Sequence, residues 1–164
     1  ISCLVTGIDS WIFLLTKFLA DINNYGGGSN FKYCLDEAIK QIKSPFAAII
    51  FISDFIHLTV GIEKKLKLFS IRFETMALMI RDVLDEQIPS SEYQLVVQDP
   101  YSSRQFLFDS TVSARKYAEE TARQKIVLKK IFIDADIDLL DLKTDKTFYV
   151  PLASFLNQRA GGKR

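Results

Sequence analysis

The chain has 164 residues, 48% hydrophobic and 25% charged, with a net charge of +1. That length makes one domain with room for a real core, and the composition excludes a disordered chain. A near-neutral balance argues against partners recognised by bulk charge, such as nucleic acid or an anionic membrane surface.

Cys3 and Cys34 form no CxxC and have no histidine beside them, which reads as a reduced, cytoplasmic protein. The apolar run 11–15 is interrupted by Lys17 and Asp21. It is too short to span a bilayer, and it lacks the basic start and small-residue cleavage site of a signal peptide. The chain opens Ile1-Ser2-Cys3 without methionine, so it is read as a piece of something longer.

In chain order, residues 1–6 read as a buried strand. Asp9 or Ser10 can cap a helix over 11–22, with Leu14, Leu15, Phe18, Leu19 and Ile22 at helical spacing as its inner face. Gly26-Gly27-Gly28 then permits a backbone path closed to other residues. Asn30 is placed to cap a helix over 31–42. Leu35, Ala38, Ile39 and Ile42 face inward there, Phe31 and Cys34 extend the stripe, and Asp36 pairs with Lys40 on the outer face. Phe46 to Ile52 is a continuous apolar run, as in strands covered on both faces. Ser53 and Asp54 close it. Thr59 can cap a helix over about 60–68, with an extension to 71 left open, with Ile62, Leu66 and Phe69 inside, and a strand follows at 75–80. Residues 93–97 and 105–108 flank a loop containing Asp99-Pro100, which predicts an antiparallel hairpin. A long helix over 111–132, a strand over 137–142 and a helix over 149–158 complete the pattern, with residues 160–164 as a basic tail. Repeated β–α alternation predicts an α/β fold: a mostly parallel open sheet, helices on both faces, and an appended β-hairpin.

Four residues stand out as site candidates. Ser29 and Asn30 lie at a helix start, and Ser53 and Asp54 at a strand end, where ligands gather in open α/β sheets. The glycine run is not a P-loop, because no Gly-Lys-Ser/Thr follows it. Nor is it a dinucleotide fingerprint, since position 31 is Phe31. His57, the single histidine, sits among Phe55, Ile56 and Leu58 with no nucleophile implied by spacing, so it reads as a packed loop residue. Asp82, Asp85 and Glu86 read as a solvated loop. The aspartates at 134, 136 and 138 lack the glycine and closing glutamate of an EF-hand.

The order of several motifs carries a resemblance. These are Gly26-Gly27-Gly28-Ser29-Asn30-Phe31 before a helix with Leu35 and Ala38, then Ile49 to Phe55, then Met79 to Asp82 leading to 86–89. Further on come residues 97–100, Phe108-Asp109-Ser110, and Lys143-Thr144-Asp145 before Leu152, Phe155, Leu156 and Arg159. From about Tyr25 to Arg159 the chain resembles the von Willebrand factor A-like family numbered 58 among the domains of unknown function. Members are often encoded beside MoxR-type AAA+ ATPases.

The resemblance implies a Rossmann-like von Willebrand A domain over 1–159 and a metal-ion-dependent adhesion site. In that site the family's threonine falls on Ser29 and its last aspartate on Asp54. Its Asp-x-Ser-x-Ser loop is absent, since residues 5–10 do not fit that register. The family's central first strand is therefore expected upstream of residue 1, or lost, leaving the domain incomplete at its N-terminus. The leading expectation is a non-enzymatic protein-interaction module working with a MoxR-type ATPase, without a cofactor, and able to form homo-oligomers. The alternative is a divalent-metal-dependent enzyme or binding site centred on Asp54, with Mg²⁺ as the candidate ion, Ser29 and Ser53 supplying further oxygens, and Asn30 and Ser53 as binding candidates.

Overall fold

The structure is a computed structural model, and the residues it describes are 8–24, 30–43, 48–56, 58, 61–88, 95–98, 103–108 and 110–162. The chain forms two compact units, Ile1–Asn30 and Phe31–Arg164.

In the first unit, helix α1 spans Ile8–Ala20 and a short 3₁₀ helix spans Ile22–Asn24. The Asn24 amide donates to the carbonyl of Phe18 (2.8 Å), and the Asp21 carboxylate accepts from the backbone and side chain of Asn23. These bonds satisfy groups that a helix end leaves without partners. Asp9 and Ser10 fall inside the first turn rather than before it. Of the expected inner face, Leu15, Phe18, Leu19 and Ile22 are each more than half exposed. Apolar spacing specifies which side of a helix is apolar, not what covers it. The strand expected at 1–6 and the glycine run lie outside the described residues.

In the second unit, β1 (Ala48–Ser53), β2 (Glu74–Arg81) and β5 (Asp138–Lys143) form a parallel sheet in the order β1-β2-β5. Helices α2 (Phe31–Gln41), α3 (Glu63–Arg72), α4 (Ser110–Asp134) and α5 (Tyr149–Gly161) flank it. The architecture is therefore the expected mixed α/β, Rossmann-like open sheet. The hairpin is also present, β3 (Leu95–Gln98) pairing antiparallel with β4 (Gln105–Phe108).

Register decides the two faces. Ile49 pairs with Thr75, and Phe51 with Ala77, which in turn pairs with Leu139. This face carries the core: Leu35 of α2, Leu66 and Phe69 of α3, and Leu128, Ile131 and Phe132 of α4 pack with Ala77 and Met79. Aromatic rings run through it, Phe31 on Phe51 (centroids 5.2 Å), Phe51 on Phe69 (5.3 Å) and Phe55 on Phe132 (4.9 Å). Each such side chain, fully buried, contributes about 1.5–3 kcal/mol. On the opposite face Met76, Leu78 and Leu142 are also buried. Helix α5 reaches that face through Arg159, which pairs with Glu74 at the start of β2 and with Asp138 at the start of β5.

Three local expectations change. Asp36 pairs with Lys65 of α3, and Lys40 pairs with Glu37 (2.8 Å), because a long-range cation outcompetes the weak helical pair. Cys34 is exposed and free, so the inner stripe of α2 stops short of it. Helix α3 begins at Glu63, whose carboxylate accepts the N–H of Gly61 (2.8 Å). Gly61 has φ +102, a conformation that needs glycine. Thr59, the expected cap, lies outside the described residues.

Candidate functional site at the carboxyl ends of the strands

Strand β1 ends in a turn built by its own polar side chains. The Ser53 hydroxyl accepts the N–H of Phe55 (3.1 Å) and donates to the Asp54 carboxylate (3.4 Å). The same carboxylate oxygen accepts the N–H of Ile56 (3.1 Å). Asp54 itself is exposed. Phe55 takes φ +54, in the left-handed region, a conformation uncommon for a residue with a side chain and costing of order 1 kcal/mol. Its ring is buried against Phe31 and Phe132, and that burial holds the turn in place.

Strand β2 ends differently. Arg81 is only 2% exposed. Its Nε donates to the carbonyl of Asp54 (3.0 Å), tying the ends of β1 and β2 together, and its Nη2 is buried without a hydrogen-bond partner among the described residues. The segment 82–88 that follows is pinned from three sides. Thr144 donates its hydroxyl to Asp82 (2.6 Å) and its N–H to the carbonyl of Arg81 (3.1 Å). That hydroxyl, helped by the N–H of Leu84, holds the Asp82 carboxyl below its usual range. Tyr117 and Thr121 of α4 donate to the carbonyls of Asp85 (3.1 Å) and Glu86 (3.0 Å). Burial, with Asp85 nearby, pushes the Tyr117 phenol up.

Glu86 is the centre of this anchoring. Its side chain is 15% exposed and accepts from Lys125 (2.7 Å) and Lys143. Those two hydrogen bonds, Lys125 first, pull its carboxyl down to about 2 against the opposing effect of burial. Lys125 also reaches Asp141 of β5 (2.7 Å). Burial works against its charge, but hydrogen bonds to Asp141 and Glu86 outweigh that and raise its pKa. The loop 82–88 is thus not simply solvated, as the sequence suggests for its acidic residues. The missed signal is Lys125, which falls on the inner stripe of α4 between Thr121 and Leu128. A lysine there requires a carboxylate partner.

Of the four candidate residues, Ser53 and Asp54 are brought together at one strand end. Asn30 stands directly before α2 and is exposed. Ser29 and His57 lie outside the described residues. The metal site implied by the resemblance needs several convergent oxygen ligands. No group of three or more His, Cys, Asp or Glu able to hold a metal occurs among the described residues. The Asp54 carboxylate is already engaged by the turn, so Ser53 and Asp54 by themselves do not complete such a site. Beside them lies a cleft of about 260 Å³, floored by Phe55, Ile56, Leu58, Val127 and Leu128 with Arg123 at its rim. No helix among the described residues is long and apolar enough to cross a membrane.

A family model described as "protein of unknown function DUF58" matches residues 12–127. Neither the curated proteins nor the solved structures contain a match.

Proposed function

The chain belongs to the DUF58 family, whose function is unknown, and from that membership we propose that it is a non-enzymatic protein-interaction module with a von Willebrand A-like fold. It binds its partner through the carboxyl ends of the strands. The observation that carries this reading is the way the polar side chains there are used. Ser53, Asp54 and Asp82 hold loops in shape, while Ile56, Val83 and Leu84 stay exposed between them. Fixed loops that present apolar side chains among carboxylates suit docking of a protein surface with basic groups.

The partner we assign is a MoxR-type AAA+ ATPase, on the resemblance described above. Titration of the purified chain with such an ATPase is expected to give saturable binding, weakened about tenfold or more by Leu84→Asp or Ile56→Asp. Binding that ignores both substitutions moves the interface elsewhere, and no binding removes the partner.

The alternative is a divalent cation held by Asp54, favoured by the Ser53 hydroxyl lying 3.4 Å from that carboxylate. Calorimetric titration with Mg²⁺ and Mn²⁺ separates the two readings. Heat that disappears in Asp54→Ala supports the metal, and a silent wild-type titration leaves the interaction module.

A further inference from the structure

The charges of this near-neutral chain are unevenly spread. Residues 64–73 carry four cations and residues 123–133 four more, and neither stretch contains an acid. The fold sets the two stretches side by side. Helix α3 packs on β2 and α4 on β5, over the same buried core. The Ser70 hydroxyl of α3 lies 2.5 Å from the carbonyl of Ala135, just beyond α4. This part of the molecule is set apart from the outer edge of β1, where the resemblance places a further strand. At about 100° per residue, burial of Leu66 and Phe69 turns Lys64, Lys67, Leu68 and Ile71 outward on α3. On α4, burial of Leu128, Ile131 and Phe132 turns Ile126, Lys130 and Ile133 outward. The four outward aliphatic side chains are 62% to 74% exposed. The three outward lysines are exposed too, and none has an ion pair among the described residues.

We propose that the outer face of α3 and of the second half of α4 rests on an anionic lipid bilayer. Aliphatic side chains on two ridges, each beside a lysine, suit the boundary between headgroups and acyl chains. The aliphatic groups enter it, and the lysine stems reach the lipid phosphates. Packed neighbouring helices stand about 8–10 Å apart, so both ridges meet one plane. A second copy on this face would set lysines against lysines, which disfavours it. A partner helix needs an apolar groove, whereas here the apolar groups stand on the crests. The helices run alongside the strands, so a bilayer against them leaves the strand ends at its side. The surface is therefore independent of the proposed ATPase contact.

Co-sedimentation of the full chain tests this with phosphatidylcholine vesicles containing about 30% phosphatidylserine. Binding is expected to be about tenfold or more stronger than to phosphatidylcholine alone, and to weaken as salt rises from about 0.1 M to about 0.5 M. Lys64→Glu, Lys67→Glu and Lys130→Glu should each lower the partition coefficient about fivefold or more, and Leu68→Ser with Ile71→Ser about tenfold. All five positions are exposed, so these variants should keep the wild-type unfolding midpoint. In a Trp11→Phe background, the emission of Ile71→Trp should shift to the blue on vesicles with phosphatidylserine. No binding to either vesicle overturns the proposal and leaves the face to an acidic protein surface. Equal binding to both vesicles, binding untouched by the lysine reversals, or emission that does not shift overturns it as well.

Discussion

The ends of β1 and β2 lie side by side yet are held by opposite means. The β1 turn is local: Ser53 and Asp54 bond to backbone groups two residues on, and Phe55 supplies an apolar anchor. The β2 loop is non-local, since Glu86 takes its cations from Lys125 and Lys143, 39 and 57 residues away in sequence. A local turn needs little from the rest of the fold beyond a place for one ring. A non-local loop reports directly on whether α4 and β5 are in position.

The largest expected effect tests the ring. Phe55→Ala should cost about 3–4 kcal/mol by denaturant unfolding, through lost burial and a cavity beside Phe132. Phe55→Gly relieves the positive φ and should cost about 1 kcal/mol less than alanine. Equal costs would mean that the backbone conformation contributes nothing. Next comes the ion cluster. Lys125→Ala leaves Glu86 and Asp141 without their shared cation, and about 3 kcal/mol of lost stability is expected, while Lys125→Met should lose less.

The third test is acid. Glu86 has a folded pKa depressed to about 2 from an ordinary 4.5. Its contribution is fully present above pH 4.5 and disappears as the pH falls toward 2. After discounting for solvent screening, about 2 kcal/mol is at stake. Stability measured from pH 6 to pH 2 should fall less steeply in Glu86→Gln than in the wild type, and parallel curves would place the acid sensitivity elsewhere. The smallest effect belongs to Asp54→Ala. It removes one exposed acceptor of the turn and should cost about 0.5–1 kcal/mol. A loss as large as that of Lys125→Ala would make the local turn as important as the cluster.

The same contrast explains what the sequence made legible. Apolar runs at 46–52 and 75–80, alternating with helical spacing, are local signals, and all three parallel strands and the hairpin stand where such signals put them. The position of Ser53 and Asp54 at the end of β1 was legible because a polar pair after an apolar strand is also a local signal. Arg81 and Glu86 were not singled out, because their roles depend on partners far along the chain. The pairing of Asp36 with Lys65 in place of Lys40 has the same origin. For α1, amphipathic spacing marks the apolar side but carries no information about the surface that would cover it.

Arg159 sets a condition on the order of folding during synthesis. It reaches Glu74, 85 residues earlier, and joins the starts of β2 and β5 to α5. Strands β1 and β2 can pair early, being separated by one short helix. The clasp at their amino ends waits until residue 159 has left the ribosome. Until then the buried face of Met76, Leu78 and Leu142 stays open on the nascent chain. Translation pauses before that point would lengthen its exposure to chaperones and to aggregation.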